Sequence, residues 1–472
     1  MKALRAALSL ALIAVGAASA PAAAQDAAKW DVDSFCRIVQ PLRHTPKERM
    51  PFMLWNVPLP RDGRLVEMRG DGSLRKAIDQ LAAGGIVPTV EMGWEWTSEG
   101  AMAMAQTLQE AGRPVNILLP RVDLIEGTAY ADCPIQVEGP DASRGGANRK
   151  WPCLALAEPE KTAEWLEREL KPYRDAGIKV AGLWFDDECL PHPWNGCWEA
   201  QRSTEECRRA YPPGVLDTFD AFRKWADPLK AELFTKGTAS IRGMFPGIRM
   251  GCYGDTFSGT DAHFGLDAQM PSAYANTVDL PRAFADKPLT QEAVDRFYFT
   301  NLLGIVSAAN RSRAPGKLSI PYLSRYVPDN GDPRHAFPMG QAPYRELVRH
   351  ILLRGTTSLY LFNLGYPGSS VSSEFSFESI EDVRVVYDEL LERSEFLDKG
   401  EPMSFDGPTE AGVVWSGLRL KDRCLVRVAT LGNAAGTVTI EAFRDTKRDL
   451  AVPVEGATYI VYADGRVQTV EG

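Results

Sequence analysis

Histidine is scarce in this chain, with five residues in 472, at His44, His192, His263, His335 and His350. None stands at metal-ligand spacing from another, which leaves a zinc hydrolase or a His-dependent triad without support. The Gly-x-Ser-x-Gly pattern is absent, and with it the case for a nucleophile-elbow serine hydrolase. No Cys-x-x-Cys occurs, so neither a zinc ribbon nor a thioredoxin-like site is expected. No basic run stands out, and 53 basic against 62 acidic residues give a net charge of −9, so nucleic acid is not the expected partner. Beyond the amino terminus no apolar run is long enough for a bilayer span. The turn after the first apolar segment, Asn56-Val57-Pro58-Leu59, has none of the glycines of a phosphate-binding turn. No cofactor or resident metal is expected.

What is present begins with Met1-Lys2-Ala3-Leu4-Arg5, an apolar stretch to about Ala18, and a small, Ala-rich stretch to Gln25. This reads as a signal peptide over residues 1–25, cut near Ala24 or Gln25, with a retained anchor as the alternative. The mature chain is then expected in the periplasm or outside the cell. Export would allow the eight cysteines to pair. Cys133 and Cys153 share one long polar insertion and Cys197 and Cys207 another, so each pair is placed to staple its own loop. Cys189 and Cys252 are placed to face each other across neighbouring strand ends, and Cys36 and Cys424 have no obvious partner.

The central stretch is Lys179-Val180-Ala181-Gly182-Leu183-Trp184-Phe185-Asp186-Asp187-Glu188-Cys189. Its first half is an apolar run of strand length and its second half begins with three consecutive acids, with Pro191 and Pro193 beyond. In a parallel α/β sheet the C-terminal strand edge is where ligands bind. Alternation puts Asp186 and Glu188 on one side of the strand and Asp187 on the other.

Around this stretch, strand-like runs at 51–57, 86–90, 115–119, 179–185, 249–253, 266–270, 318–323 and 358–362 alternate with helix-like runs, among them 74–83, 99–111, 161–176, 216–236, 292–309, 344–353 and 380–396. About eight strand-then-helix units in some 350 residues match a (β/α)8 TIM barrel. After an N-terminal extension over 26–49, the barrel is expected over 50–400, with long insertions near 126–159 and 191–214. From 401 to 472 the pattern changes to period two between Gly, Asn and Asp turns, which reads as a small antiparallel β-domain, sandwich-like, packed against the barrel.

In a barrel the strand ends converge on one mouth. Here they carry Asn56, Glu91, Trp94, Arg121, Asp123, Asp186, Asp187, Glu188, Tyr253, Asp255, Tyr274, Arg325 and Asn363. Carboxylates facing aromatics are what cleavage of a poly- or oligosaccharide needs: an acid for the leaving oxygen, a second group for the oxocarbenium-like centre, and ring faces for the sugar. The end of strand seven, Ser324-Arg325-Tyr326, has no acid, and strand six ends near Ser272 and Tyr274. One acidic centre therefore remains on strand four, with Asp255 as its nearest helper. A lone Asp-x-Glu suits substrate-assisted cleavage, in which the sugar's 2-acetamido oxygen attacks the anomeric carbon. Repulsion within the acid pair would help keep Glu188 protonated.

Several fragments resemble the hyaluronidases and, more remotely, the chitinases. Phe185-Asp186-Asp187-Glu188 is similar to the Asp-Trp-Glu strand end, and Phe52-Met53-Leu54-Trp55-Asn56-Val57-Pro58 to the opening strand. Pro271-Ser272-Ala273-Tyr274 is similar to Pro-Ser-Ile-Tyr, and Pro321-Tyr322-Leu323-Ser324-Arg325 to Pro-Tyr-x-Arg. The resemblance implies Glu188 as acid/base, Asp186 as orienter of the acetamido group, and Tyr253 and Tyr274 beside the scissile bond. This chain has Asp187 where the family has Trp, ends strand eight Leu361-Phe362-Asn363 where the family carries a Trp, and has the β-domain in place of a Cys-rich tail.

Other roles stay open at this level. Glu91 and Glu95 read as loop acids with Glu91 a substrate contact at most. Trp94, Trp96, Trp194 and Trp198 are sugar platforms or packing, and Trp415 is more readily packing. Arg325 either clamps a substrate carboxylate or neutralises Asp186 or Asp255. Asp187 is expected behind the acidic pair. Asp255 as base with Glu188 as acid would make an inverting enzyme acting on a sugar without an acetamido group. Two further classes are a cation-binding barrel, holding Ca²⁺ or Mg²⁺ on the triple carboxylate, and a non-catalytic carbohydrate-binding protein.

Overall fold

The computed structural model describes residues 37–55, 64–92, 98–120, 133–141, 147–186, 195–254, 266–276, 280, 283–284, 288–327, 338–362, 373–432, 434–444 and 446–470. The chain forms β1 (Phe52–Trp55), α1 (Arg64–Asp71), α2 (Ser73–Ala83), β2 (Ile86–Pro88) and β3 (Val90–Glu91). Next come α3 (Ser98–Glu110), β4 (Val115–Pro120), β5 (Gln136–Asp141), β6 (Ala147–Pro152), α4 (Pro159–Asp175) and β7 (Val180–Asp186). The middle holds α5 (Asn195–Gln201), α6 (Glu205–Ala210), α7 (Phe219–Met244), β8 (Arg249–Gly254) and β9 (Ala268–Asn276). Then follow α8 (Gln291–Ser312), β10 (Leu318–Ser319), β11 (Tyr322–Val327), α9 (Gln341–Leu352), β12 (Tyr360–Phe362), α10 (Ser373–Leu391) and α11 (Ser394–Lys399).

The parallel sheet runs β2-β1-β12-β11-β9-β8-β7-β4-β3. Its two ends, β2 and β3, are halves of one strand broken only at Thr89, so the sheet is a closed (β/α)8 barrel. Thr89 spans the break: its N–H and its hydroxyl both donate to the Leu54 carbonyl, at 3.1 and 2.9 Å.

The period-two pattern explains both layers of core. Phe52, Leu54, Ile117, Leu119, Leu183, Phe185 and Met250 pack outward with the helices. Their alternates, Met53, Trp55, Leu118, Trp184 and Tyr253, pack inward and fill the barrel. Trp184 is fully buried at the centre. Two neighbouring glycines make its room: a Cβ on Gly182 would lie 2.6 Å from its ring, and one on Gly251 3.1 Å.

The two insertions are ordered in their described parts and share a core of their own. The first is a β5–β6 hairpin and the second carries α5 and α6; Val137, Cys153, Leu154, Cys207 and Tyr211 pack together with Phe222 at the start of α7. The expected Cys133–Cys153 staple is not made. Both are thiols, as are Cys207, Cys252 and Cys424. Cys133 Sγ donates instead to the carbonyl of Ile135, two residues on, at 3.3 Å. Cys36 and Cys189, and the side chain of Cys197, lie outside the described residues.

The C-terminal strands are β13 (Glu401–Pro402), β14 (Val413–Arg419), β15 (Arg423–Thr430), β16 (Gly436–Phe443), β17 (Thr446–Val452), β18 (Ala457–Tyr462) and β19 (Val467–Val470). An antiparallel sheet in the order β13-β14-β15-β18-β19 faces the β16–β17 hairpin. On β15, Cys424, Val426 and Val428 face the hairpin, while Leu425 and Ala429 join the barrel's outer core. Arg427 takes the same register and pairs with Glu346 of α9 through two bonds of 2.7 Å. The sheet packs against the barrel through residues such as Val414 and Leu425, while Trp415 packs against the core between sheet and hairpin.

Candidate active site

The C-terminal ends of the barrel strands form the mouth. Asp186 is the last residue of β7, in register with Pro120 on one side and Tyr253 on the other. It follows Trp184, which packs into the barrel, and Phe185, which packs against the helices. Asp187, Glu188, Asp255, Asn363 and Trp94 lie outside the described residues, as do Asn56, Glu95, Trp96, Arg121, Asp123 and Trp194.

Beside Asp186 the wall is tyrosine. The hydroxyls of Tyr253 and Tyr274 are 2.5 Å apart and their rings are near-parallel, with centroids at 6.3 Å. Both expected residues therefore meet, one from β8 and one from β9. Tyr253 is nearly buried and Tyr274 half-buried. The aromatic surface continues from Tyr274 to Phe362 at 5.5 Å and from Phe362 to Trp55 at 4.6 Å. Sequence reasoning passed over Phe362 and Trp55, looking to the asparagines that follow each of them. The available signal was their inward register at the last position of a strand.

Glu91 ends β3 and is 1% exposed. It is a strand-end acid and not a loop acid, because the second strand continues past Thr89 into the mouth. Two residues earlier, Thr89 accepts a 3.0 Å bond from Tyr360, which belongs to the inward core. Alternation gives Glu91 the same inward register one step closer to the mouth.

Arg325 has its described contacts in the helical layer. It follows the inward Ser324 register and so turns toward the helices, where its Nε donates to the Met339 carbonyl at 2.6 Å and its guanidinium lies 3.6 Å from Asp382 of α10. Asp382 is fully buried and also accepts from Gln341 and Arg345, each at 2.8 Å. Burial pushes the Asp382 carboxyl up, against the pull of Arg345. These described contacts tie Arg325 of strand seven to the helical layer. Trp198 is also packing: its indole N–H donates to the Leu216 carbonyl at 3.2 Å and Arg202 lies over its ring.

No family model matches the chain. No curated protein sequence matches it either. Among solved structures it is similar to an isomaltulose synthase from Klebsiella sp. LX3, with a TM-score of 0.51 at 12% identity over 90% of this chain and 99% of that one. A mutant isomaltulose synthase from Erwinia rhapontici NX5, in complex with its natural substrate sucrose, gives 0.50 at 12% identity over 87% and 98%. An α-amylase from H. orenii gives 0.50 at 12% identity over 88% and 99%. None of these three is a hyaluronidase or a chitinase. At such identities the likeness establishes the barrel architecture with its C-terminal sheet.

Proposed function

We propose that the chain is an exported glycoside hydrolase that cleaves O-glycosidic bonds in a poly- or oligosaccharide. The observation that carries this reading is the end of β7. Asp186 closes the strand in register with Tyr253, whose hydroxyl meets that of Tyr274, and Asp187 and Glu188 follow directly in sequence. A carboxylate pair beside an aromatic wall has the groups that protonate a leaving oxygen and hold a sugar ring. The barrel likeness to a sucrose-binding synthase and an α-amylase supports a carbohydrate substrate.

In the mechanism, Glu188 protonates the glycosidic oxygen and then, as its conjugate base, activates water. Asp186 orients the 2-acetamido group, whose oxygen attacks the anomeric carbon, so configuration is retained. Tyr253 and Tyr274 bind next to the scissile bond, with Phe362 a platform beyond them. Asp187 supports the pair from behind, and Trp94, Asn363 and Glu91 belong to the surrounding wall.

One observation favours a second reading. The synthase complexed with sucrose binds a sugar without an acetamido group. On that model Glu188 is the acid, Asp255 supplies the second carboxylate, and configuration inverts. The test is turnover of wild type and Glu188→Gln on N-acetylated and plain glycans, with the product anomer followed by NMR. Retention on N-acetylated substrates alone, lost in the variant, supports the acetamido route. Inversion on plain sugars supports Asp255, and full activity of Glu188→Gln overturns both.

A further inference from the structure

The insertions after β4 and β7 meet around Gln201, which is fully buried. Its side-chain oxygen accepts from the Leu154 N–H at 2.9 Å, the Tyr211 hydroxyl at 2.8 Å and the Cys207 thiol at 3.4 Å, and its amide donates to the Pro152 carbonyl at 3.1 Å. One glutamine thus ties residues 152 and 154 of the hairpin insertion to residues 207 and 211 of the helical one. Cys153 sits between the two residues that Gln201 holds. Its Sγ is 3.8 Å from the Cys207 carbonyl, and Cys153 and Cys207 are both 0% exposed. The neighbouring Cys207 side chain draws the Cys153 thiol below its ordinary value, against burial, which raises it.

We propose that Cys153 and Cys207, thiols in this structure, close into a disulfide on oxidation and so join the two insertions to each other across their shared core. This pairing differs from the one that local spacing favours, in which each insertion closes on itself. Cys133, the within-loop candidate, is held to its own segment through Ile135, while Cys153 is held against Cys207. Formation consumes a disulfide oxidant. One cysteine thiolate attacks oxidised glutathione and releases a glutathione thiol; the second thiolate displaces the remaining glutathione, and the two cysteine protons end on the two released thiols. Because both sulfurs are sealed from solvent in the folded chain, exchange takes place while the insertions are still closing. The finished bond is then shielded from reductants.

The site does not depend on the catalytic reading, and refolding in vitro separates it from the question of export. The full chain is refolded in mixed reduced and oxidised glutathione, quenched in acid, alkylated and mapped by mass spectrometry. The expected product is a peptide holding Cys153 linked to the peptide holding Cys207, lighter than their sum by two hydrogens. Cys207→Ser is expected to leave Cys153 alkylated, and reductant to lower the melting temperature of wild type but not of the variant. A Cys133–Cys153 or Cys197–Cys207 link, or alkylation of both Cys153 and Cys207 in the refolded wild type, overturns the pairing.

Discussion

Trp184 fills the barrel just below Asp186, and its indole is held by a 3.3 Å bond to Asn116 and by the missing side chains of Gly182 and Gly251. The backbone at Gly182 has an ordinary φ, so its glycine is required by space and not by conformation. Gly182→Ala would push a methyl into the Trp184 ring and the Asn116 amide. Overpacking of this kind costs about 1–3 kcal/mol, to be read as a lower midpoint in urea unfolding. An unchanged midpoint would mean that Trp184 shifts without cost and does not support the floor of the site. On the same wall, Tyr274→Phe removes the hydroxyl that meets Tyr253. The stability change is expected to be about 1 kcal/mol or less, since Tyr274 is half exposed. Catalytic efficiency is expected to fall about tenfold, which corresponds to about 1.4 kcal/mol of transition-state binding. Wild-type kcat/KM in Tyr274→Phe would remove the tyrosine pair from the sugar subsite.

At the scale of elements, the barrel was legible because its strands are buried on both faces and its helices on one. Those two patterns have different periods, and their alternation gave the unit count. Strand ends were less legible where one residue changes the outcome. Arg325 shares its segment with inward residues, yet a single step of alternation sends it to Asp382 in the helical layer. Glu91 was hidden by the break at Thr89, which makes a strand end look like a loop. Pairing of cysteines was legible only as opportunity, because proximity across two insertions is set by a core that includes Gln201 and the start of α7. The contact between α9 and β15 yields a test of how the sheet docks. Arg427 is 13% exposed and Glu346 14%, and their two bonds are the ion pair between these elements. Arg427→Ala leaves a buried carboxylate without that partner, a change that costs about 3–5 kcal/mol. The check is calorimetry, with a clear fall in melting temperature expected; Arg427→Ala melting like wild type would show that Arg349 and His350 hold Glu346 unaided.

For the whole molecule, the docking surface is where acidity should act. His350 on α9 is fully buried, with Nδ1 2.8 Å from the Ser416 hydroxyl of β14 and Nε2 3.2 Å from Glu346. Arg354 bonds the same Ser416 at 2.8 Å, and burial lowers its guanidinium to about 10. Burial lowers the His350 imidazole from its ordinary 6.5, aided by the nearby Arg354 and Arg427 and opposed by Glu346. Burial alone would raise Glu346, but the close His350 ring and the two hydrogen bonds from Arg427 outweigh it and hold the carboxyl below its ordinary 4.5. The signs agree. Below pH 6.5 the unfolded chain takes up a proton at His350 that the folded chain refuses, so stability falls as pH drops through that window. Below 4.5 the unfolded chain takes up another at Glu346, and the stabilisation by that carboxylate is lost toward its depressed folded value. One proton of difference gives a slope of up to about 1.4 kcal/mol per pH unit. Unfolding free energy measured from pH 8 to 4 should therefore begin to fall near 6.5 and fall further below 4.5. In His350→Gln, where the amide keeps a polar partner for Ser416, the first decline should flatten and the second persist. If the variant and wild type keep the same slope between pH 7 and 5, the imidazole is not the group that couples docking of the C-terminal sheet to pH.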